Sequence, residues 1–330
     1  MINWIIKAQT SRCQKQESDV SPSIVLHPEQ PEGIAEFLSK IRDVRLLKPQ
    51  DENEVLECLG SGAEILVTFR WRDEYLLSSL EWIASTSAGY EQYPIRQLQS
   101  QGVKVTTASG ASAIAAAEHA FALMLSLTRR IPEACRNMRS SRWAPVVGHE
   151  LFNRNLAIVG LGQIGEQIAV RANVFGMHVI GIKKRPNLYS GSVQDVRGTD
   201  CLPAVCEWAD FLVLCAPGSN DVSPLISARE LRLLRDGWLI NIGRGSLVDT
   251  EALIEALRFG QLQGAGLDVV LPEPLPENSP LWSLEKVIIT SHSAGRSEKY
   301  GHRWGEIFLR NMIAFRENRD WVNLVVTDTP

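Results

Sequence analysis

Arg244, Glu273 and His292 each stand just past an apolar run of strand length. A fixed guanidinium clamps a carboxylate and polarises a neighbouring carbonyl. Histidine donates or accepts a proton near neutral pH, and an adjacent glutamate would orient the imidazole and favour its charged form. Each residue alone has a plainer reading, a satisfied loop histidine or an arginine that caps a helix. Taken together they define a binding arginine, an acid/base histidine and an orienting glutamate, the set needed to move a proton on a carbonyl acid.

A second motif supplies the other half of such a reaction. Gly160-Leu161-Gly162-Gln163-Ile164-Gly165 follows the apolar run 156–159 and opens a helical pattern with Ile164, Ile168 and Ala172 on one face, ending at Gly176. In that context G-x-G-x-x-G is a dinucleotide-binding turn. Gly160 makes the turn, Gly162 admits the pyrophosphate, Gly165 permits close packing, and the helix N-terminus stabilises the anion. The next strand ends on Ile182-Lys183-Lys184-Arg185, where a carboxylate would select a ribose 2′-hydroxyl. Three cations there would attract a 2′-phosphate, which predicts NADP(H) as preferred cofactor with NAD(H) also accommodated. The plainer reading of the basic run is a solvated surface.

The elements that must hold these residues are strands alternating with helices, the pattern of an α/β protein built on parallel sheets. Strands are expected at 23–26, 44–47, 65–68, 82–85 and 104–106, then at 156–159, 178–182, 211–215, 238–242, 265–269 and 287–290. The last six make a doubly wound sheet, and ligands bind beyond the carboxyl ends of such strands. Between the two series, residues 113–130 carry Ala117, Ala120, Phe121, Met124 and Leu125 at helical spacing, a long helix joining two domains. A final helix over 298–315 is expected to return to the first domain. The division is therefore 1–111 with 298–330 for the substrate domain, and 112–297 for the dinucleotide-binding domain.

Composition narrows the function. Among 330 residues, 34 Lys+Arg face 38 Asp+Glu, a net charge of −4 that disfavours a nucleic-acid partner. No apolar run reaches the ~18 residues that cross a bilayer, and residues 1–10 lack a signal-peptide core, so a cytoplasmic location is expected. Six cysteines are scattered along the chain, at 13, 58, 135, 201, 206 and 215. Reduced structural thiols are expected, and no metal site.

These residues resemble the D-isomer-specific 2-hydroxyacid dehydrogenase family from about Ser23 to Val326. The most specific segments are Val159 to Gly165, Asn241-Ile242-Gly243-Arg244-Gly245-Ser246-Leu247-Val248-Asp249, and Gly266-Leu267-Asp268-Val269 through Glu273-Pro274-Leu275-Pro276. Ser109-Gly110 followed by Ala117-Glu118-His119-Ala120 resembles the family's domain junction. The resemblance implies a Rossmann cofactor domain and a flavodoxin-like substrate domain with the active site in the cleft between them. It implies the Arg244, Glu273 and His292 catalytic set, Asp268 near the nicotinamide amide, and Ala216, Pro217 and Ile242 on the cofactor side. It also implies that Ser87-Ala88-Gly89 offers amides to the substrate carboxylate, and that a homodimer forms through about 117–145.

The chain departs from the family where Ser291 replaces the usual proline before the histidine, and where Val222 replaces a frequent threonine. Within Phe69-Arg70-Trp71-Arg72, Arg70 is a candidate substrate ligand and Trp71 a candidate pocket wall, against the plainer reading of a surface loop. The expected activity is reduction of a small 2-oxo acid, such as glyoxylate or hydroxypyruvate, to the D-2-hydroxy acid. Two alternatives stand beside it. A nicotinamide-sensing binding protein similar to the C-terminal-binding corepressors would keep the same motifs, whereas formate oxidation is opposed by Glu273, where formate dehydrogenases place glutamine.

Overall fold

The computed structural model describes residues 21–218, 223–317 and 319–326. The N-terminal segment read for a targeting signal and the Val222 position lie outside these residues.

The first series of apolar runs forms a five-stranded parallel sheet of β1 (Ser23–Leu26), β2 (Arg45–Leu47), β3 (Ile65–Thr68), β4 (Trp82–Ser85) and β5 (Lys104–Thr106), in the order β2-β1-β3-β4-β5. Helices α1 (Ile34–Leu38), α2 (Glu52–Gly60) and α3 (Ile95–Ser100) connect its strands. Strands β3 and β4 are buried along their whole length, as a sheet covered on both faces requires.

Next come α4 (Ala113–Thr128) and α5 (Ile131–Arg139). Helix α4 lays Ala116, Ala117, Ala120, Leu123 and Met124 into the core of the second sheet. It ends where Arg130 turns left-handed at φ 54°, and no residue of α5 is buried.

The second sheet holds β6 (Asn155–Val159), β7 (His178–Ile182), β8 (Asp195–Arg197), β9 (Phe211–Leu214), β10 (Trp238–Asn241), β11 (Gly264–Leu267) and β12 (Val287–Ile289). Its order is β12-β11-β10-β9-β6-β7-β8, all parallel, with α6 (Gln163–Val174), α7 (Leu202–Trp208), α8 (Ala228–Leu233) and α9 (Thr250–Arg258) in the crossovers. This sheet has seven strands where the apolar runs predict six. Strand β8 escaped because it is a half-buried edge strand whose Asp195 and Arg197 side chains pair with each other at 2.7 Å. Strand order reverses between β6 and β9, so the crevice past the end of β6 is the topological switch point.

Helix α10 (Tyr300–Glu317) packs on the first sheet. Trp304, Phe308 and Met312 join Ile24, Ile34 and Trp82 in one buried cluster, with the Trp82 and Phe308 rings stacked at 4.9 Å. Trp304 Nε1 donates to Ser85 O at 3.0 Å and Tyr300 OH to Thr86 O at 2.6 Å. The chain then adds Leu324 antiparallel to Thr106, at the edge of that sheet.

Candidate active site

The glycine turn has the shape a dinucleotide needs. Gly160 adopts φ 104°, and a Cβ there would stand 2.6 Å from the backbone nitrogen of Ala216, so both torsion and space demand glycine. A Cβ on Gly162 would meet nothing within 4 Å, which leaves the backbone open to a ligand. Gly162 is also the N-cap of α6 and offers no side chain to the first-turn amides. Among the described residues no side chain caps that end, which leaves the positive end of the helix open to a pyrophosphate. Cys215 lies at the end of β9 and donates its Sγ–H to Gly160 O at 2.9 Å. Burial pushes that thiol up to about 12, so it remains a neutral donor under the turn.

The basic segment after β7 divides in two. Lys183 folds back, donating Nζ–H to Leu161 O at 2.7 Å and lying 5.8 Å from the Tyr189 ring centroid. Lys184 and Arg185 are exposed beyond the strand end. Glu166, in the first turn of α6, accepts from Tyr189 OH and from the amide and hydroxyl of Ser192 at 3.1 and 2.9 Å. Burial alone would raise the Glu166 carboxyl, but those hydrogen bonds and the Lys183 charge outweigh it and hold the group below the usual carboxylate range. The loop at 186–192 is thereby docked on the turn. Glu166 and Tyr189 were not legible as partners because their contact is between a helix and a loop.

Towards the β12 edge of the sheet the structure joins the predicted acid/base pair. His292 Nδ1 lies 2.6 Å from Glu273 Oε1, with the two side chains 52% and 40% exposed and so open to a ligand. His292 follows β12 in a left-handed conformation, φ 49°. Asp268 is buried under that loop and accepts the amides of Ser293 and Ala294 at 2.9 and 3.0 Å.

Arg244 follows β10 between two glycines that pack tightly against neighbouring backbone: a Cβ on Gly243 would come 2.7 Å from Ala216 O, and one on Gly245 would overlap Val270 O. Asn241 Nδ2 donates to Arg244 O at 2.9 Å and Arg244 Nη1 donates to Gly243 O at 2.9 Å. Its other terminal nitrogen meets the first sheet, since a Cβ on Gly89 would stand 3.0 Å from Arg244 Nη2. The Gly89 loop is itself pinned by Ser87 Oγ donating to Gly89 O at 2.7 Å. Among the described residues neither the Ala88 nor the Gly89 amide has a protein acceptor. The Arg244 guanidinium thus lies against the Gly89 loop, where the Glu91 carboxylate also approaches: the same Cβ on Gly89 would stand 2.5 Å from Glu91 Oε2.

Arg70 and Trp71 have partners of their own beside the first sheet. Arg70 Nη2 pairs with Glu29 Oε2 at 2.5 Å on the exposed edge, and Trp71 lies edge-on to Tyr75 and Tyr93 while its Nε1 donates to Asp73. Ala216 and Pro217 follow β9 beside the glycine turn, and Ile242 is buried at the end of β10. No group of three His, Cys, Asp or Glu among the described residues could hold a metal ion.

A doubly wound sheet with a phosphate turn at its switch point, and a histidine–glutamate pair beyond the strand ends nearer its β12 edge, fits a nicotinamide-dinucleotide oxidoreductase. The chain belongs to the D-isomer specific 2-hydroxyacid dehydrogenase family, whose NAD-binding-domain model matches residues 121–294. It is similar to glyoxylate reductase from Thermococcus litoralis, 30% identical over 94% of this chain and 98% of that protein. Glyoxylate reductase from Korarchaeum cryptofilum is 33% identical over 74% of this chain and 76% of its own length. Among solved structures, the NADPH-dependent glyoxylate/hydroxypyruvate reductase from Sinorhizobium meliloti, in complex with citrate, superposes with a TM-score of 0.78 at 25% identity. That match covers 92% of this chain and 98% of the other. No helix among the described residues is long and apolar enough to cross a membrane.

Proposed function

We propose that this protein reduces a small 2-oxo acid, of the glyoxylate or hydroxypyruvate type, to the D-2-hydroxy acid. The observation that carries the reading is the His292–Glu273 contact of 2.6 Å, in a family chain whose Arg244 guanidinium lies against Gly89. The substrate carboxylate is held by Arg244 and the Ala88 and Gly89 amides. The C2 carbonyl then lies against His292, which donates the proton from Nε2 as the oxygen gains charge, while Glu273 fixes the ring through Nδ1. A bound reduced nicotinamide supplies the hydride in this family's chemistry. The relatives' names support glyoxylate as the first substrate to try.

NADPH is the favoured cofactor. Lys184 and Arg185 stand exposed beyond β7, and residues 183–185 hold no carboxylate to repel a 2′-phosphate. Lys183, bonded to Leu161 O, shapes the turn instead. The chain is assigned the two domains divided at 111/112 and 297/298, a cytoplasmic location and a homodimer through about 117–145. The dimer is supported by α5, which buries none of its residues, and by the exposed Met138, Trp143 and Val147.

The test is oxidation of NADPH and NADH across glyoxylate, hydroxypyruvate, pyruvate and phenylpyruvate, with product chirality determined where a stereocentre forms. Turnover with NADPH preferred and D products is the expected result. Tight cofactor binding without turnover of any acid would overturn the reductase reading.

A further inference from the structure

The loop that carries His292 is tied to helix α4 by a side chain the reaction does not use. His119, on α4, places Nε2 2.9 Å from Thr290 Oγ1, and Thr290 Oγ1 lies 2.5 Å from Asp268 Oδ1. His119 Nε2 is itself 3.6 Å from that carboxylate oxygen, and the Asp268 side chain is only 1% exposed. The helical pattern of 113–130 gave His119 no partner, because Thr290 is 171 residues away in sequence.

The directions of these bonds follow from counting hydrogens. A carboxylate accepts only, so the single Thr290 hydroxyl hydrogen goes to Asp268. Thr290 Oγ1 must then accept from His119, which fixes the proton of a neutral imidazole on Nε2. Asp268 also accepts the amides of Ser293 and Ala294, and His292 N donates to Asp268 O at 2.9 Å. A residue with a β-carbon holds a left-handed torsion only where its surroundings over-determine it. Here that surrounding is Asp268 with the hydroxyl and amides bound to it, at the site where Ser291 takes the place of a rigid proline. The loop also touches the start of α4 directly: a Cβ on Gly295 would stand 3.1 Å from Ser112 Cβ.

The geometry points to His119 as a positioning residue for His292, acting through Thr290 and Asp268. Its kinetic test rests on the reductase reading above. His119 touches none of the reacting atoms in this assignment; it keeps the buried carboxylate aimed at the loop amides, and those amides set the direction of the imidazole.

The experiment compares the full-length protein with His119→Leu, His119→Gln, Thr290→Val and the Leu/Val double variant, using glyoxylate and NADPH. His119→Leu should lower kcat about tenfold to a hundredfold while KM moves less than about threefold, since misdirecting an acid harms the reacting geometry more than carboxylate binding. His119→Gln keeps an N–H near the position of Nε2 and should recover most of the loss. The double variant should be no worse than the poorer single, because both cut the same bridge. Unchanged kcat in His119→Leu, or a loss that glutamine does not recover and that adds to Thr290→Val, would overturn the proposal.

A second readout needs no turnover. In protein with ring-labelled histidine, the His292 Cε1–H signal, identified by its absence in His292→Ala, should shift in His119→Leu and return in His119→Gln. If the wild-type protein reduces no 2-oxo acid, the functional reading fails while this spectrum still decides the positioning role. An unmoved His292 signal overturns that role alone.

Discussion

The turns after β6 and β12 lie in the same sheet and are built in opposite ways. The turn after β6 is made of consecutive residues: a glycine at φ 104°, an open glycine at the N-cap, and a helix whose first amides face outward. Its function is carried by backbone, and its side chains matter by being absent. The turn after β12 is made of partners far apart in sequence. His292 depends on Glu273, 19 residues earlier, and its loop amides on Asp268, 25 and 26 residues before Ser293 and Ala294. Anion binding tolerates a generic cradle of amides, whereas directed proton transfer needs one atom held in one place.

Four variants sharpen or break that contrast. His292→Ala should remove about two to four orders of magnitude from kcat and leave NADPH affinity within about twofold. Stopped-flow reduction beside fluorescence titration separates the two, and a parallel loss of affinity would mean that the two turns are not independent. Gly160→Ala should act the other way, weakening cofactor binding about tenfold to a hundredfold through torsional strain and contact with Ala216. Calorimetric titration reads it, and unchanged affinity would show that the backbone cradle is not where the cofactor binds.

Replacing Lys184 and Arg185 together with alanine should reduce the NADPH-to-NADH preference about tenfold, the order expected for a lost charge-assisted contact. An equal effect on both cofactors would remove the 2′-phosphate assignment. The smallest effect is at Glu166. Its carboxyl is held below the usual range in the folded state, so the bonds it accepts add stability above the unfolded value of about 4.3. That stability is lost as pH falls through the folded value. Glu166→Gln should therefore be less stable than wild type in urea at pH 7, with the gap closing on acidification. A gap independent of pH would mean that charge is not what docks the 186–192 loop.

Much of this was legible in the order of residues. The strands from β1 through β12 follow apolar runs bounded by turns, and only β8 escaped, because a charged pair on a three-residue edge strand leaves no apolar signal. The glycine turn was legible because its partners are neighbours in the chain. Arg244, Glu273 and His292 were legible as strand-end residues of complementary chemistry, and the contact between the last two is in the structure. Arg70 and Trp71 stood at a strand end by the same criterion, yet their side chains turn to Glu29 and to Tyr75 and Tyr93. Position after a strand says where a backbone goes and leaves the direction of a side chain open.

The sequence by itself determined the parallel α/β architecture and the glycine turn, and singled out His292 and Glu273 as strand-end partners, because periodicity and short motifs are local properties of the chain. Tertiary structure alone decided that Lys183 turns to Leu161, that Cys215 lies beneath Gly160, and that His119 reaches Asp268 through Thr290. Each of these is a hydrogen bond between segments at least 22 residues apart. Such a bond forms only where packing brings both groups together out of water, and no local pattern encodes that meeting.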